Sequence, residues 1–175
     1  YLNKIRTANL RISGEQKVKE GDKVVNTFDC SNRDELLVFT DKAQVYKAKV
    51  DDFADGKASQ LGIYVPSKLE MEPDEKSVFI CVVREYKGYT ELVLTSTSGK
   101  ILLLNTASIA SKTTKDTIGV SVMTQKKTKK VTHKLESMRR YTEGEFEKAW
   151  RFRTKNLPAA GAMPTPADNS DQISF

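Results

Sequence analysis

The chain has 175 residues, with 29 Lys and Arg against 23 Asp and Glu, a net charge of +6 and a pI near 9.2. That length can bury a core, and the mild positive balance admits a polyanionic partner without requiring one. No apolar run reaches the ~18 residues of a membrane span, no secretory leader is visible, and no GxGxxG or GxxxxGK[ST] phosphate loop occurs.

The chain opens in strand-like sequence, "YLNKIR", and reads as part of a longer protein. Next comes "DELLVFTDKAQVYKAKV", Asp34 to Val50, two short strands around a tight turn. Leu36 and Val38 alternate with Leu37 and Phe39. Tyr46, Ala48 and Val50 oppose Val45, Lys47 and Lys49, which predicts one apolar face and one bearing two lysines. "LGIYV" (Leu61 to Val65) follows, and then Glu70 and Glu72, two apart on what reads as a solvated strand face. Cys30 and Cys81 read as small buried or half-buried strand residues in a reducing compartment, since neither has Cys or His at ligand spacing.

A second hairpin, "TELVLTSTSGKILLLNT", spans Thr90 to Thr106 and is apolar on both strand faces, which predicts packing on both sides. Its turn holds Gly99, where the first hairpin has Ala43. A left-handed Ala43 would cost on the order of 1 kcal/mol, and the alternative is a different turn type. "IGVSV" (Ile118 to Val122) and the basic stretch "QKKTKKVTHKLESMRR" come next. Thr142 and Glu145 form a capping-box pattern before Phe146, Ala149 and Trp150, which predicts a short helix within 141–157. Residues 158–175, rich in Pro, Ala, Asp and Ser, read as disordered.

The hairpins repeat. Leu36-Leu37-Val38 falls on Leu92-Val93-Leu94 and Val45 on Ile101 at an offset of 56. "LGIYV" falls on "IGVSV" at 57, with Gly62 over Gly119. Glu20 to Thr40 resembles Pro73 to Thr95, and the opening "YLNKIRTANLRI" sits where "VYKAKVDDF" sits in the next copy. The order is therefore the end of one unit, one whole unit and a last unit running to about Met138. Units of 50 to 57 residues built from short strands predict an all-β, propeller-like fold.

Catalytic constellations are absent from the pattern. His133 is the single histidine, so no histidine–metal cluster forms, and the carboxylates are scattered among lysines. The cations are more informative. Lys4, Arg6 and Arg11 precede the hairpin, and Lys4 and Arg6 occupy the part of the unit that Lys47 and Lys49 occupy in the next. Leu103 and Asn105 replace the two lysines in the last copy, with Lys100 nearby and Lys126, Lys127, Lys129 and Lys130 further on. Cations recurring around a curved body neutralise successive phosphates without reading bases.

"YLNKIRTANLRISGEQKVKEGDKVV" followed by "ELLVFTDKAQVYKAKV", together with the tail "RFRTKNLPAAG", resembles the C-terminal domain of the A subunit of bacterial DNA gyrase or topoisomerase IV. The resemblance implies a β-pinwheel, a partial ring of about three four-stranded blades over 1–140. It implies double-stranded DNA bent around a basic rim; the ten cations named above, chosen by their placement, are the candidate phosphate contacts. It implies no cofactor in this segment. The implied partners are the rest of the A subunit and the ATPase-bearing B subunit of a cytoplasmic, nucleoid-associated bacterial enzyme. No tyrosine here is then the DNA-cleaving one. The rival reading is a propeller-like protein-interaction scaffold. The two part on whether Lys and Arg form a contiguous stripe or are mixed with acids.

Overall fold

The computed structural model describes residues 1–6, 27–57, 59–85, 90–110, 119–125, 127–128, 131–154 and 156–166. The strands are β1 (Lys4–Ile5), β2 (Glu35–Thr40), β3 (Gln44–Lys49), β4 (Asp55–Gly56), β5 (Ser77–Val83), β6 (Glu91–Ser96), β7 (Ile101–Asn105), β8 (Val120–Ser121), β9 (Lys127–Thr128), β10 (Val131–Thr132) and β11 (Leu135–Arg140). Two four-residue helices, α1 (Val65–Lys68) and α2 (Ala107–Ala110), lie in connections.

Both hairpins form where the alternation places them. The first sheet has the order β5-β2-β3-β8, and the second begins β11-β6-β7. Each hairpin takes its outer partner from the following stretch of chain. Leu37 pairs with Cys81 across β2 and β5, and Leu94 pairs with Met138 across β6 and β11. Neighbouring units thus exchange strands, as a pinwheel does, and the sheets remain open.

The free edge of the three-stranded second sheet is met by an isolated bridge from the segment expected to be disordered. Ile101 is bridged to Ala162, with N–H···O bonds of 2.8 and 2.9 Å in both directions. Val45 is bridged in the same way to Val120, and Leu2 to Ile63. A glycine precedes the bridging residue every time: Gly62, Gly119, Gly161. A Cβ on Gly62 would stand 2.4 Å from the Leu2 carbonyl oxygen, and one on Gly161 2.7 Å from that of Ile101. The glycine lets one backbone lie against another. Residues 158–166 are therefore placed against the core, by main-chain bonds of Ala162 to Ile101 and of Ala159 to Val122 and Thr124, with Ala159 and Ala162 packed on the core clusters. Residues 167–175 lie outside the described residues.

The layers follow from strand alternation. Leu36 and Val38 pack with Phe53, Val65 and Leu69 on one face of the first sheet. Leu37, Phe39, Val45 and Cys81 on the other face meet Leu92, Leu94, Leu102 and Leu104 of the second sheet. Beyond it, Val93, Ile101 and Leu103 are covered by Phe146 and Phe152. Both faces of both hairpins are thus largely buried. The expected split of β3 into an apolar and a lysine face gives way to lysines at one end of an otherwise packed face.

Several expectations take another form here. The helix within 141–157 is a turn closed by Thr142 and Glu145, with one 3-10 turn at Ala149–Arg151. Gly144 at φ +85° leaves the helical path. Glu70 follows α1 at φ +53° and is no part of a strand face. Cys81 lies buried in β5, whereas Cys30 is exposed in a loop. Ala43 does take the left-handed conformation, at φ +56°, matching Gly99 at +86°.

Candidate nucleic-acid interface

The strand frame sorts the cations by which end of the sheets they occupy. At the open end, where β2 begins and β3 finishes, lie Lys4, Arg6, Lys47 and Lys49. Lys4 bonds Asn32 Oδ1 at 3.0 Å and the Val50 carbonyl at 3.2 Å, which fixes β1 there. At the hairpin end lie Lys42 and Lys100. The Gln125 side chain donates to the Asp41 carbonyl at 3.1 Å, so the chain entering β9, and with it Lys127, leaves from that end. Six strand residues separate the two ends, about 17 Å at the usual rise. The ten cations named above therefore do not share one place. Arg11, Lys126, Lys129 and Lys130 lie outside the described residues.

Pairing sorts them again. Lys4 meets Asp55 at 3.3 Å with its side chain only 14% exposed, and Lys47 meets Glu35 at 2.9 Å. Both are half-buried structural cations. Arg6 also bonds Asp55, at 2.9 Å, but its side chain is 73% exposed. Arg6 and then Lys4 hold the Asp55 carboxyl below its ordinary range by direct hydrogen bonds. Lys49 is exposed and Lys100 half-buried, and neither has a carboxylate within ion-pair distance among the described residues.

Sequence reasoning named none of the other pairs. Lys42 holds Glu72 and Asp74, and its hydrogen bonds to Asp74 and Glu72 raise its pKa. Lys134 reaches Asp41 at 3.6 Å, Arg84 reaches Asp34 at 3.6 Å and Arg139 pairs with Glu145. The described surface is therefore a mosaic of both signs rather than an unbroken basic stripe. Beneath the Lys42 cluster, buried Glu75 accepts bonds from Thr40 Oγ1 at 2.5 Å and the Tyr46 hydroxyl at 2.7 Å. Burial, and then the bond to Glu75, raise the Tyr46 pKa.

The recurrence of positions is what this geometry establishes. The bridges Leu2–Ile63 and Val45–Val120 superimpose β1 on β3, so Lys4 matches Lys47 and Arg6 matches Lys49. In each pair the first cation is paired inward and the second stands outward. Residues 34–60 and 90–140 match the family model described as the DNA gyrase C-terminal domain, beta-propeller.

Over these segments the chain is similar to the C-terminal domain of the DNA gyrase A subunit. It is 34% identical over 85 residues to the DNA gyrase A subunit of Streptomyces coelicolor, covering 49% of this chain and 10% of that protein. Against the DNA gyrase A subunit of Mycobacterium tuberculosis H37Rv it is 31% identical over 84 residues, 48% of this chain and 10% of the other. The chain thus spans about a tenth of the length of the curated relatives it matches. The fold is that of the C-terminal domain of DNA topoisomerase IV, at a TM-score of 0.77 and 13% identity over 93% of this chain and 53% of that one. The E. coli ParC C-terminal domain aligns at 0.58 and 9% identity, over 82% and 59% of the two chains.

The matched gyrase segments hold both hairpins and β11. No group of His, Cys, Asp and Glu able to hold a metal occurs among the described residues. No described helix is long and apolar enough to cross a membrane.

Proposed function

We propose that this chain is a non-catalytic, DNA-binding and DNA-wrapping part of the A subunit of a type IIA topoisomerase in the bacterial cytoplasm. Its partners in that reading are duplex DNA, the rest of the A subunit and the ATPase-bearing B subunit. One observation carries the proposal: an outward cation recurs at the same register of successive units, Arg6 in one and Lys49 in the next. Strand exchange makes that spacing a property of the fold. Phosphates spaced along a bent duplex are the natural counterpart, with affinity from counterion release and selectivity from DNA bendability.

Lys4 and Lys47 are assigned a different task from the one their sequence positions imply. Lys47 is committed to Glu35 of its own unit and Lys4 to Asp55 of the next, so each orients the outward neighbour rather than a phosphate. The test is an anisotropy titration of duplex DNA at several salt concentrations. Log affinity should fall linearly with log salt, with little sequence preference. A folded protein that binds no duplex even at low salt sinks the proposal.

A second reading, a scaffold for another protein, is favoured by the ion pairs at Lys4, Lys42, Lys47 and Lys134. It expects a partner retained at high salt and no retention of DNA.

A further inference from the structure

The closing segment, Ala149 to Met163, repeats a pattern found near the start of the chain. On β1, Ile63 makes an antiparallel bridge to Leu2 and Asp55 pairs in parallel with Lys4. On β7, Ala162 makes the antiparallel bridge to Ile101 and Arg153 the parallel one to Leu103. A 3-10 turn and a buried phenylalanine lead into each: Val50–Asp52 and Phe53 in one, Ala149–Arg151 and Phe152 in the other. The sources differ. The segment on β1 follows the hairpin of the next unit, β2 and β3. The segment on β7 follows no hairpin, since Tyr141 to Lys148 leads straight to it from β11. We propose that residues 149–163 are a cap standing in for a following unit, and that the β7 edge beneath it is otherwise a docking site for the same edge of a second copy of this chain.

The strand itself points to that occupant. A bare strand edge presents main-chain N–H and C=O groups that another strand can pair with, and lysines on the strand oppose this. Among the described residues β8 covers β3 only at Gln44 and Val45, and β3 carries Lys47 and Lys49 beyond them. In β7 the same register holds Leu103 and Asn105, and Ile101–Asn105 has no charge at all. An apolar, uncharged strand without proline pairs with its own kind when bare. The cap takes up the groups that would do so. Ile101 donates to Ala162 at 2.8 Å and accepts from it at 2.9 Å, and Leu103 donates to the Phe152 carbonyl at 2.8 Å. Phe152, buried, packs with Leu103, and Arg153 ties the cap to Glu91. Two identical antiparallel edges meet about a twofold axis, so the pairing closes at a dimer. The missing lysines of the last repeat thereby have a physical reason: a strand covered along its edge needs no charge to guard it. The cap acts independently of any DNA contact.

Self-association of the full chain, followed by light scattering over a concentration series, tests this. Gly161→Ala loosens the cap, which faster proteolysis beyond Leu157 reports. A larger open fraction should tighten self-association by at least about tenfold over wild type. Adding Asn105→Lys, which restores the lysine of the Lys49 register, should return self-association to the wild-type level without restoring protease resistance. Adding Asn156→Lys instead, the same charge on an exposed cap position, should not. Arg153→Gln leaves the cap's backbone intact and should shift self-association the same way by a smaller factor, which keeps the test open if Gly161→Ala does not fold. If the variants are cleaved faster yet self-associate no more than wild type, the cap guards nothing and the proposal falls. It falls equally if Asn105→Lys and Asn156→Lys act alike, because the association then does not run through the β7 edge.

Discussion

Arg153 donates two hydrogen bonds to Glu91, from Nε at 2.9 Å and Nη2 at 2.8 Å. Glu91 is the repeat of Glu35, which takes its cation from Lys47 on the adjacent strand. In the second unit Leu103 stands where Lys47 would, buried under Phe152. The cation arrives instead from the closing segment, where Arg153 is bridged to Leu103. Each unit thus keeps a neutralised carboxylate at the start of its first hairpin strand, with the cation drawn from different chain positions.

Substituting Arg153→Gln should cost about 0.5–1 kcal/mol, at the low end for a bidentate pair because the arginine is 42% exposed. A double-mutant cycle with Glu91→Gln, read by urea unfolding, should return a coupling near ~0.5 kcal/mol. Zero coupling would mean that the pair only decorates a segment held by its backbone.

Gly161→Ala should be more damaging. The residue sits at φ +75°, and a Cβ there would lie 2.7 Å from the Ile101 carbonyl oxygen. A loss of about 2 kcal/mol or more is expected, together with faster proteolysis beyond Leu157. Gly119→Ala should cost less, since no positive φ and no backbone atom stands in its way, only the movable Gln44 side chain at 2.7 Å and the buried Tyr46 ring at 2.9 Å. Equal losses at the two sites would contradict the rigid-backbone explanation.

The hairpin turns offer an opposed pair of substitutions. Gly99→Ala places a side chain in the left-handed region and should cost about 1 kcal/mol. Ala43→Gly relieves that same strain, but Ala43 is 1% exposed and its methyl is part of the core between the sheets. Losing a buried methyl costs about 0.8 kcal/mol, so Ala43→Gly should be nearly neutral in a urea melt. A marked stabilisation would mean the methyl contributes nothing to that core.

Burial raises the Cys81 thiol pKa to about 11. The unfolded chain loses this proton first, near its ordinary value of 9.0. Stability from this group is therefore complete below about pH 9 and is lost as pH climbs toward 11, by about 3 kcal/mol in all. Tyr46 acts in the same direction at higher pH. Urea midpoints measured across that range should fall steeply for the wild type and less steeply for Cys81→Ala. Parallel slopes would show that the thiol is not the group responsible.

Among the cations, Lys49→Ala should weaken DNA binding evenly across sequences and reduce the salt slope by about one. Lys47→Ala should leave DNA binding close to wild type and instead lower stability by about 0.5–1 kcal/mol, because Glu35 loses its partner. The reverse result would return Lys47 to the DNA surface.

Much of the architecture was written in the chain itself. The alternation in "LLVFT" and "KILLLNT" determined which residues form hairpins, since a strand's side-chain period is a local property. The offset of 56 between the hairpins determined that they would be copies with matched faces. Two things were decided only by tertiary structure. The segment "PAAGAM" is bridged to Ile101 and Met123 by its backbone, with only the small Ala159 and Ala162 side chains packed on the core, so hydrophobic pattern is nearly silent there. Gly161 follows Gly119 by 42 residues rather than the 57 that separate Gly62 from Gly119, so the repeat in the sequence does not point to it. The loss of Lys4 and Lys47 to intramolecular pairs depends on Asp55 and Glu35, and Asp55 lies 51 residues from Lys4.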